Sequence, residues 1–497
     1  MSTVSRVFDS SERNGVAFVF LRSHLFILLL VFVGTLPLIN PLVHGDGVGY
    51  YAYLRAPVIQ HNLRFEEDWR RANPGFREAK LSPDNQLTAD QYASTGYIGN
   101  LFTPGPAILW SPFFLLAHAA VLTANLLGAH ISADGFSLPY RMMVAFGTSF
   151  YGFCGLLLSY LFARKYVESS YALLATLGIW GASSLPVYMY FNPFWSHAHS
   201  AFMVALFLWY WDRTQSNRTL SQWILLGVIS GLLVDVYFVN GVFLLIPLIE
   251  SILGFAKDLR SKDGAAFLRR FSVNVAFLVT FVAFLLPTLI TRRIIFGGMF
   301  RFGSYAELPW NWHAPFWRSV LFSSDHGMLS WTPLLGFALL GLLLPFTKGN
   351  LVRVYLAVAA AAFCYVISSY PYWDGLSSYG NRFFISLTPV FVFGLAHLLE
   401  GLGMLFPTYR IAFAAQRFAL SLFVLWNLGF IFQWGTHMVP ARGKISWGAM
   451  VHNQVTKVPQ EMARSLDSYF THRGELMQHL EQEDIEQRKQ LEIRQGE

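Results

Sequence analysis

Long apolar runs separated by short polar stretches recur along the whole chain, and they set its architecture before any single residue does. Runs of roughly 20 apolar residues, the length a helix needs to cross a bilayer, fall near 22–43, 105–127, 140–163, 170–190, 198–212, 220–236, 240–256, 272–291, 331–347, 351–370, 383–403 and 418–437. The pattern predicts an all-α, polytopic membrane protein. The polar stretches differ in kind. Arg164 and Lys165, Arg213 and Arg218, Lys257 to Arg270, Lys348 and Arg353, and Arg410 and Arg417 are basic clusters. The bias of Lys and Arg towards cytoplasmic loops places them on one side with the N-terminus, provided that one early run does not span. Residues 105–127, which carry Pro106, Pro112 and His118, are the expected exception and should lie along the interface. About eleven helices then cross the membrane.

Composition narrows the class. At 54% hydrophobic and 13% charged, 497 residues are too apolar for a soluble enzyme. The net charge of +7 is spread through loops rather than along one face, which argues against a nucleic-acid partner. Cys154 and Cys364 lie inside apolar runs and form no disulfide framework. The first run follows Arg6, Arg13 and Arg22 and reads as a retained anchor, because no small-residue cleavage site comes after it. The expected organisation is a transmembrane domain over 1–437, containing a long first external loop at 44–139 with interfacial helices, and a small external tail at 438–497. That tail ends in "EQEDIEQRKQLEIRQGE" and is expected to be helical or mobile, and solvated. No Gly-rich phosphate loop, HExxH pair or internal repeat stands out.

The unusual polar residues collect on the external side. Asp46 stands in "PLVHGDGVGYY", where the first run ends, among glycines 45, 47 and 49 that leave the backbone open. It could cap a helix or serve as a general base. Arg141, Arg301 and Arg382 sit at external helix ends, where a guanidinium fork can match two phosphate oxygens or reach to lipid headgroups. His197 and His199 in "FWSHAHS" leave a divalent metal open, although residues two apart on a helix face different ways. Asp325 and His326 in "SSDHG" and Asp374 in "YWDGLSS" suit a turn as well as a pocket. Tyr50, Tyr51 and Trp195 could stack on a sugar, yet such residues line every membrane interface. Glu66, Glu67 and Asp68 form either a solvated surface or a source for a second acid. Arg292 and Arg293 stand against the basic-inside bias, so they should bind anionic lipid unless the map errs.

The order of these parts resembles the C-type glycosyltransferase superfamily, which includes protein O-mannosyltransferases and aminoarabinose lipid A transferases. The matching stretches are "GDGVGYY" after the first helix, "PGPAILWSPFFLLAH" as a Pro-rich interfacial helix, "LPYRMM" with Arg141 at the mouth of the next helix, and "YLFARKY" at its cytoplasmic end. Many relatives carry two adjacent acids where this chain has Asp46 between glycines. The resemblance implies transfer of a sugar from a polyprenyl-phosphate donor to a glycan, lipid or protein acceptor on the periplasmic or lumenal side, with inversion. It implies Asp46 as the base and Arg141, Arg382 and Arg301 on the donor phosphate. Tyr50, Tyr51, His197, His199, Asp325, His326 and Asp374 would surround the pocket. The lipid-linked sugar is then substrate, with no cofactor required with certainty, in a multi-pass protein of a bacterial inner membrane with a cytoplasmic N-terminus and an external C-terminus. The rival class is a transporter or lipid flippase, which predicts polar residues at mid-membrane depth on broken helices.

Overall fold

The computed structural model describes residues 10–496 apart from 79, 83, 85, 216–217, 302–307, 345–349 and 407. Arg6 and Lys348, two of the residues used above for orientation, lie outside the described residues, as do 302–305 of "GGMFRFGSY". Among the described residues the regular elements are helical, with isolated bridges at Leu81–Leu87 and Tyr92–Ile98.

Seven helices among the described residues are long and apolar enough to cross a membrane: Gly105–Leu126, Leu138–Ala163, Phe238–Arg260, Gly264–Phe296, Leu351–Ser369, Arg382–Gly403 and Tyr409–Gly435. The chain is an integral, multi-pass membrane protein. Two of the runs expected to cross, 170–190 and 331–347, are interrupted in ways that hydropathy does not show. After α1 (Ser10–Thr35) and the helices of the first loop, α2 (Asp46–Arg55), α3 (Glu66–Arg70), α4 (Pro74–Glu78) and α5 (Gly105–Leu126), α6 (Leu138–Ala163) is unbroken. α7 (Ser169–Gly181), however, stops before Ser183 and Ser184, and the chain continues through a π turn at Val187–Phe191. α8 (His197–Thr214), α9 (Leu220–Val236), α10 (Leu245–Arg260) and α11 (Gly264–Phe296) follow. The run expected at 331–347 is divided: after α12 (Trp317–Phe322) and α13 (Met328–Trp331), α14 (Leu334–Leu343) has only 10 residues.

α15 (Asn350–Ser369), α16 (Thr388–Gly403) and α17 (Tyr409–Gly435) complete the bundle. α16 lies at its centre, packed on α6, α7, α8 and α14, and 89% of the apolar stretch that contains it is buried. The inter-helix packing brings to one end of the bundle the exit of α1, the starts of α6, α8 and α16, and the ends of α9 and α11. All the candidate site residues stand at that end.

α5 lies against the first half of α6. Its ring contacts run antiparallel, from His118 on Tyr140 to Phe113 on Tyr151, and Leu126 beyond them is 87% exposed. Length and composition alone would let α5 cross.

The C-terminal segment is helical and docked, while most of its described residues over 471–490 stay exposed or half-exposed. α18 (Trp447–Val455), α19 (Lys457–Thr471) and α20 (Arg473–Gly496) fold back over the exit of α1 and the first loop. The Tyr469 hydroxyl donates to the Leu38 carbonyl at 2.6 Å, and Arg473 donates to the carbonyls of Pro37 and Ile39. Glu481 accepts from the Asn73 amide and the Gly75 N–H. These partners are mostly backbone groups left open where a helix ends, so composition carried no sign of them.

Candidate active site

Asp46 opens α2 but does not cap it. The N-cap is Gly45, at φ 54°, and no side chain caps the helix. A positive φ suits glycine, and the close packing requires it too: a Cβ on Gly45 would lie 3.1 Å from the Trp195 ring, and one on Gly47 would lie 2.7 Å from the Phe194 Cβ. The glycines expected to open the backbone instead let α2 sit directly on the aromatic residues that precede α8. Trp195 donates its indole N–H to the His44 carbonyl at 3.1 Å and so ties that surface to the turn before Asp46.

With its cap role excluded, the Asp46 carboxylate points to a partner far away in sequence. Arg382 Nη2 donates to Asp46 Oδ2 at 3.0 Å across 336 residues. Arg382 begins the 3-10 turn Arg382–Leu387 that leads into α16. That turn is fixed to α8 by Ser200 and Ser386, whose hydroxyls are 2.7 Å apart, and by Asn240, which donates to Ser200 at 2.9 Å. The guanidinium also lies over the Trp195 ring, 4.2 Å from its centre. The Asp46 side chain keeps 35% of its surface exposed and Arg382 keeps 11%. The pair therefore forms a wet acid against a firmly held cation.

Two further acids follow, Asp374 beside Arg382 and Asp325 beside Asp374. Burial and the nearby Asp374 push the Asp325 carboxyl up to about 6. Burial likewise raises Asp374, against the opposing pull of Arg382 and Arg442. Both acids stand on loops with left-handed residues: His326 at φ 56°, Leu376 at φ 59° and Gly375 at φ 72°. Such strain in non-glycine residues clusters at functional sites. His326 is fully buried against Trp331, with ring centres 4.7 Å apart. Arg442, from the segment after α17, reaches the same loop and donates to the Ser377 hydroxyl.

The remaining candidates divide. Tyr50 faces the Asp46 side of α2 and accepts from the Ser196 hydroxyl at 3.0 Å; burial raises its phenol. His197 packs edge-on to Tyr188 at 4.9 Å, near Arg382. His199 turns away to Trp110, with ring centres 5.1 Å apart, beneath α5. The two histidines thus diverge, and no group of three or more His, Cys, Asp or Glu among the described residues could hold a metal. Arg301 donates back to the Phe296 carbonyl at 3.3 Å, at the end of α11. Tyr51 and Arg141 lie across α2 from the pair. At 100° per residue, Val48 and Tyr51 face away from Asp46 and Tyr50, and they line a separate cavity with Arg141. The lining of that cavity includes neither Asp46 nor Arg382.

Three expectations need correction. Arg292 does not face lipid: it is 2% exposed and donates to the carbonyls of Asn100 and Phe102, both at 3.1 Å, tethering the first loop to α11. Asp68 is no solvated acid but is 3% exposed, gripped by Arg55 through two contacts of 2.6 Å. Trp195, read as an interface residue, carries the guanidinium of the central ion pair. Its only sequence signal is its place two residues before His197.

No family model and no curated protein matches the chain. Among solved structures, it is similar to ArnT from Cupriavidus metallidurans in the apo state, with 14% identity over 84% of this chain and 72% of that one, at a TM-score of 0.44. It is similar also to ArnT bound to undecaprenyl phosphate, with 13% identity over 91% and 79%, at 0.43. A third is the archaeal oligosaccharyltransferase AglB from Archaeoglobus fulgidus in complex with an inhibitory peptide and a dolichol-phosphate, with 13% identity over 90% and 56%, at 0.44. At such identities and scores the chemistry has to be argued from the residues.

Proposed function

We propose that the protein transfers a sugar from a polyprenyl-phosphate donor to an acceptor hydroxyl on the external side of the membrane, with Asp46 as general base and Arg382 holding the donor phosphate. The observation that carries this reading is the Asp46–Arg382 contact at 3.0 Å. A partly exposed carboxylate and a stacked guanidinium share one point at the bundle end where α1 leaves the membrane. A lipid-linked sugar presents its phosphate at that level.

Each group answers a requirement of the reaction. The acceptor hydroxyl is a poor nucleophile until a base takes its proton, and Asp46 has the exposure to reach it. The acceptor oxygen then bonds to the anomeric carbon from the face opposite the phosphate, and the bond from that carbon to the phosphate oxygen breaks. The polyprenyl phosphate leaves with the electron pair and the sugar is inverted. The leaving charge grows on the phosphate, where an arginine fork stabilises it better than a point charge does.

The ion pair also orders the events. While Arg382 holds Asp46, one oxygen of the carboxylate is engaged. A donor phosphate on Arg382 competes for the guanidinium and releases Asp46 when the sugar is in place. Asp374, beside Arg382, and Tyr50, beside Asp46, are positioned to hold sugar hydroxyls.

Purified full-length protein in nanodiscs, given a radiolabelled polyprenyl-phosphate sugar, should release polyprenyl phosphate and pass label to water or a surrogate alcohol. Lipid translocation without any cleavage of the sugar–phosphate bond would favour a flippase and sink the transfer reading. Impermeant labelling of intact cells should place the C-terminus and the first loop outside, and the N-terminus on the cytoplasmic side of a bacterial inner membrane.

A further inference from the structure

Asp46 and Arg382 are held by different parts of the chain. Arg382 has its support on the side of α8 and α16, through Ser386, Ser200 and Asn240. Asp46 rides on α2, and the middle of α2 rests on the loop that precedes α5. Asn100, 1% exposed, is the hub of that support: its amide donates to the Gly49 carbonyl at 2.8 Å, and its side-chain oxygen accepts from the Phe102 N–H at 3.2 Å. The Phe102 ring lies against Tyr50, with ring centres 4.4 Å apart, and so close to Gly49 that no Cβ would fit there.

This loop cannot hold itself, because residues 99–104 have no helix or bridge of their own. What holds it is the end of α11. Arg292, one turn before that end, donates to the carbonyls of Asn100, Leu101 and Phe102 in succession, and the Thr95 hydroxyl donates to the Ile295 carbonyl. Hydrogen bonds from a charged donor are among the stronger ones, and a planar fork reaches neighbouring carbonyls at once. α11 is otherwise peripheral, with 6% of its apolar stretch buried, so general packing does not explain a guanidinium 2% exposed at its end. The chain of contacts runs from Arg292 through the loop to Gly49 and Tyr50, one helical turn from Asp46. The Tyr50 phenol lies within the electrostatic reach of Asp46, Arg382 and Arg292 together, so the support ends in the site.

We propose, on the basis of the transfer reading, that Arg292 is a positioning residue for the reaction: by fixing residues 100–102 it sets α2, and with it the place of the Asp46 carboxylate relative to a sugar held at Arg382. Arg292 itself touches neither donor nor acceptor. Because Arg382 has its own support, loss of Arg292 leaves donor binding in place and slows the chemical step, which is sensitive to misplacement of the base by as little as about 1 Å.

The test uses the full chain in nanodiscs, with three variants: Arg292→Gln, Arg292→Lys and Phe102→Leu, the last removing the ring beside Tyr50 without removing a hydrogen-bonding group. In Arg292→Gln and Phe102→Leu, kcat should fall about tenfold or more while donor Kd and KM stay within about twofold. Arg292→Lys, which keeps the charge and part of the donor set, should recover some of the rate. Hydrogen exchange gives a second readout that needs no turnover: the amides of α2 should lose protection in Arg292→Gln while those of 382–387 keep it. If Arg292→Gln does not fold, the same split in Phe102→Leu decides. Parental kcat in Arg292→Gln, parallel loss of kcat and donor affinity in Arg292→Gln and Phe102→Leu, or unchanged exchange in α2 would overturn the proposal. A parent protein without any transfer would instead sink the transfer reading, and exchange in α2 would still decide whether Arg292 holds that helix.

Discussion

Arg382 lies over the face of Trp195, with 4.2 Å from the guanidinium carbon to the ring centre, while its Nη2 holds Asp46. A planar cation fits between a ring and a carboxylate, whereas an ammonium keeps the charge but loses the stacking plane and the fork. Arg382→Lys should therefore weaken donor binding by about tenfold or more, since a partly desolvated cation–π contact alone contributes about 1–2 kcal/mol. Donor affinity of the purified variant checks this. An Arg382→Ala protein that binds donor as well as the parent would remove the residue from the site.

Asp46→Asn should abolish sugar transfer and leave the protein folded and inserted. Gly45 occupies the cap position and no side chain caps α2, so the usual cost of about 0.5–2 kcal/mol for losing a cap does not apply. Both Asn and Ala at 46 should show similar thermal stability and similarly absent turnover. Near-normal turnover in the Asn variant would show that another group takes the proton.

Gly47→Val should move α2 off its support. The new Cβ would meet the Phe194 Cβ at 2.7 Å, and forcing extra methyl groups into close packing costs about 1–3 kcal/mol. A lowered Tm together with weaker transfer is the expected result. A variant with parental Tm would mean that Phe194 yields and that the contact does not set the position of Asp46.

His437, just after α17, pairs with two carboxylates of α20. Its Nδ1 is 2.8 Å from Glu483 and its Nε2 is 2.9 Å from Asp484, with His479 3.4 Å from Glu483 on the same helix. Burial lowers its pKa, but the carboxylates of Asp484 and Glu483 outweigh burial and raise it above the ordinary value. A histidine raised in the folded state contributes stability that is complete below the ordinary value of about 6.5 and lost as pH climbs through the folded value. Hydrogen exchange in α20, corrected for its intrinsic pH dependence, should therefore show less protection as the pH is raised from 6 towards 9, and His437→Gln should flatten that trend. Protection independent of pH in the parent protein would exclude a stabilising role for these His437 contacts.

The expectation that residues 44–139 face outward and that α5 lies along the interface rests on the basic loops. The ring contacts of α5 reach Tyr151, midway down α6, and fit either arrangement. A cysteine at the exposed His130 should react with an impermeant thiol reagent added from outside. Labelling from the cytoplasmic side alone would invert the map and make α5 a span.

The sequence by itself determined the membrane class, the helical bundle and the placing of Asp46 and Arg382 near helix ends. Hydropathy and charge are local properties that a run of about 20 residues displays in full. It could not show which arginine meets Asp46, because Arg141 and Arg382 have the same chemistry and both stand at helix ends. Helix packing decided that. The turn before α16 delivers Arg382 across 336 residues to one face of α2, while the helical period turns Val48 and Tyr51 to the other, where Arg141 stands. The docking of α20 and the tether from Arg292 were hidden for a related reason. Their partners are backbone carbonyls and amides of the α1 exit and the first loop, groups that every residue carries and that only the folded chain leaves open.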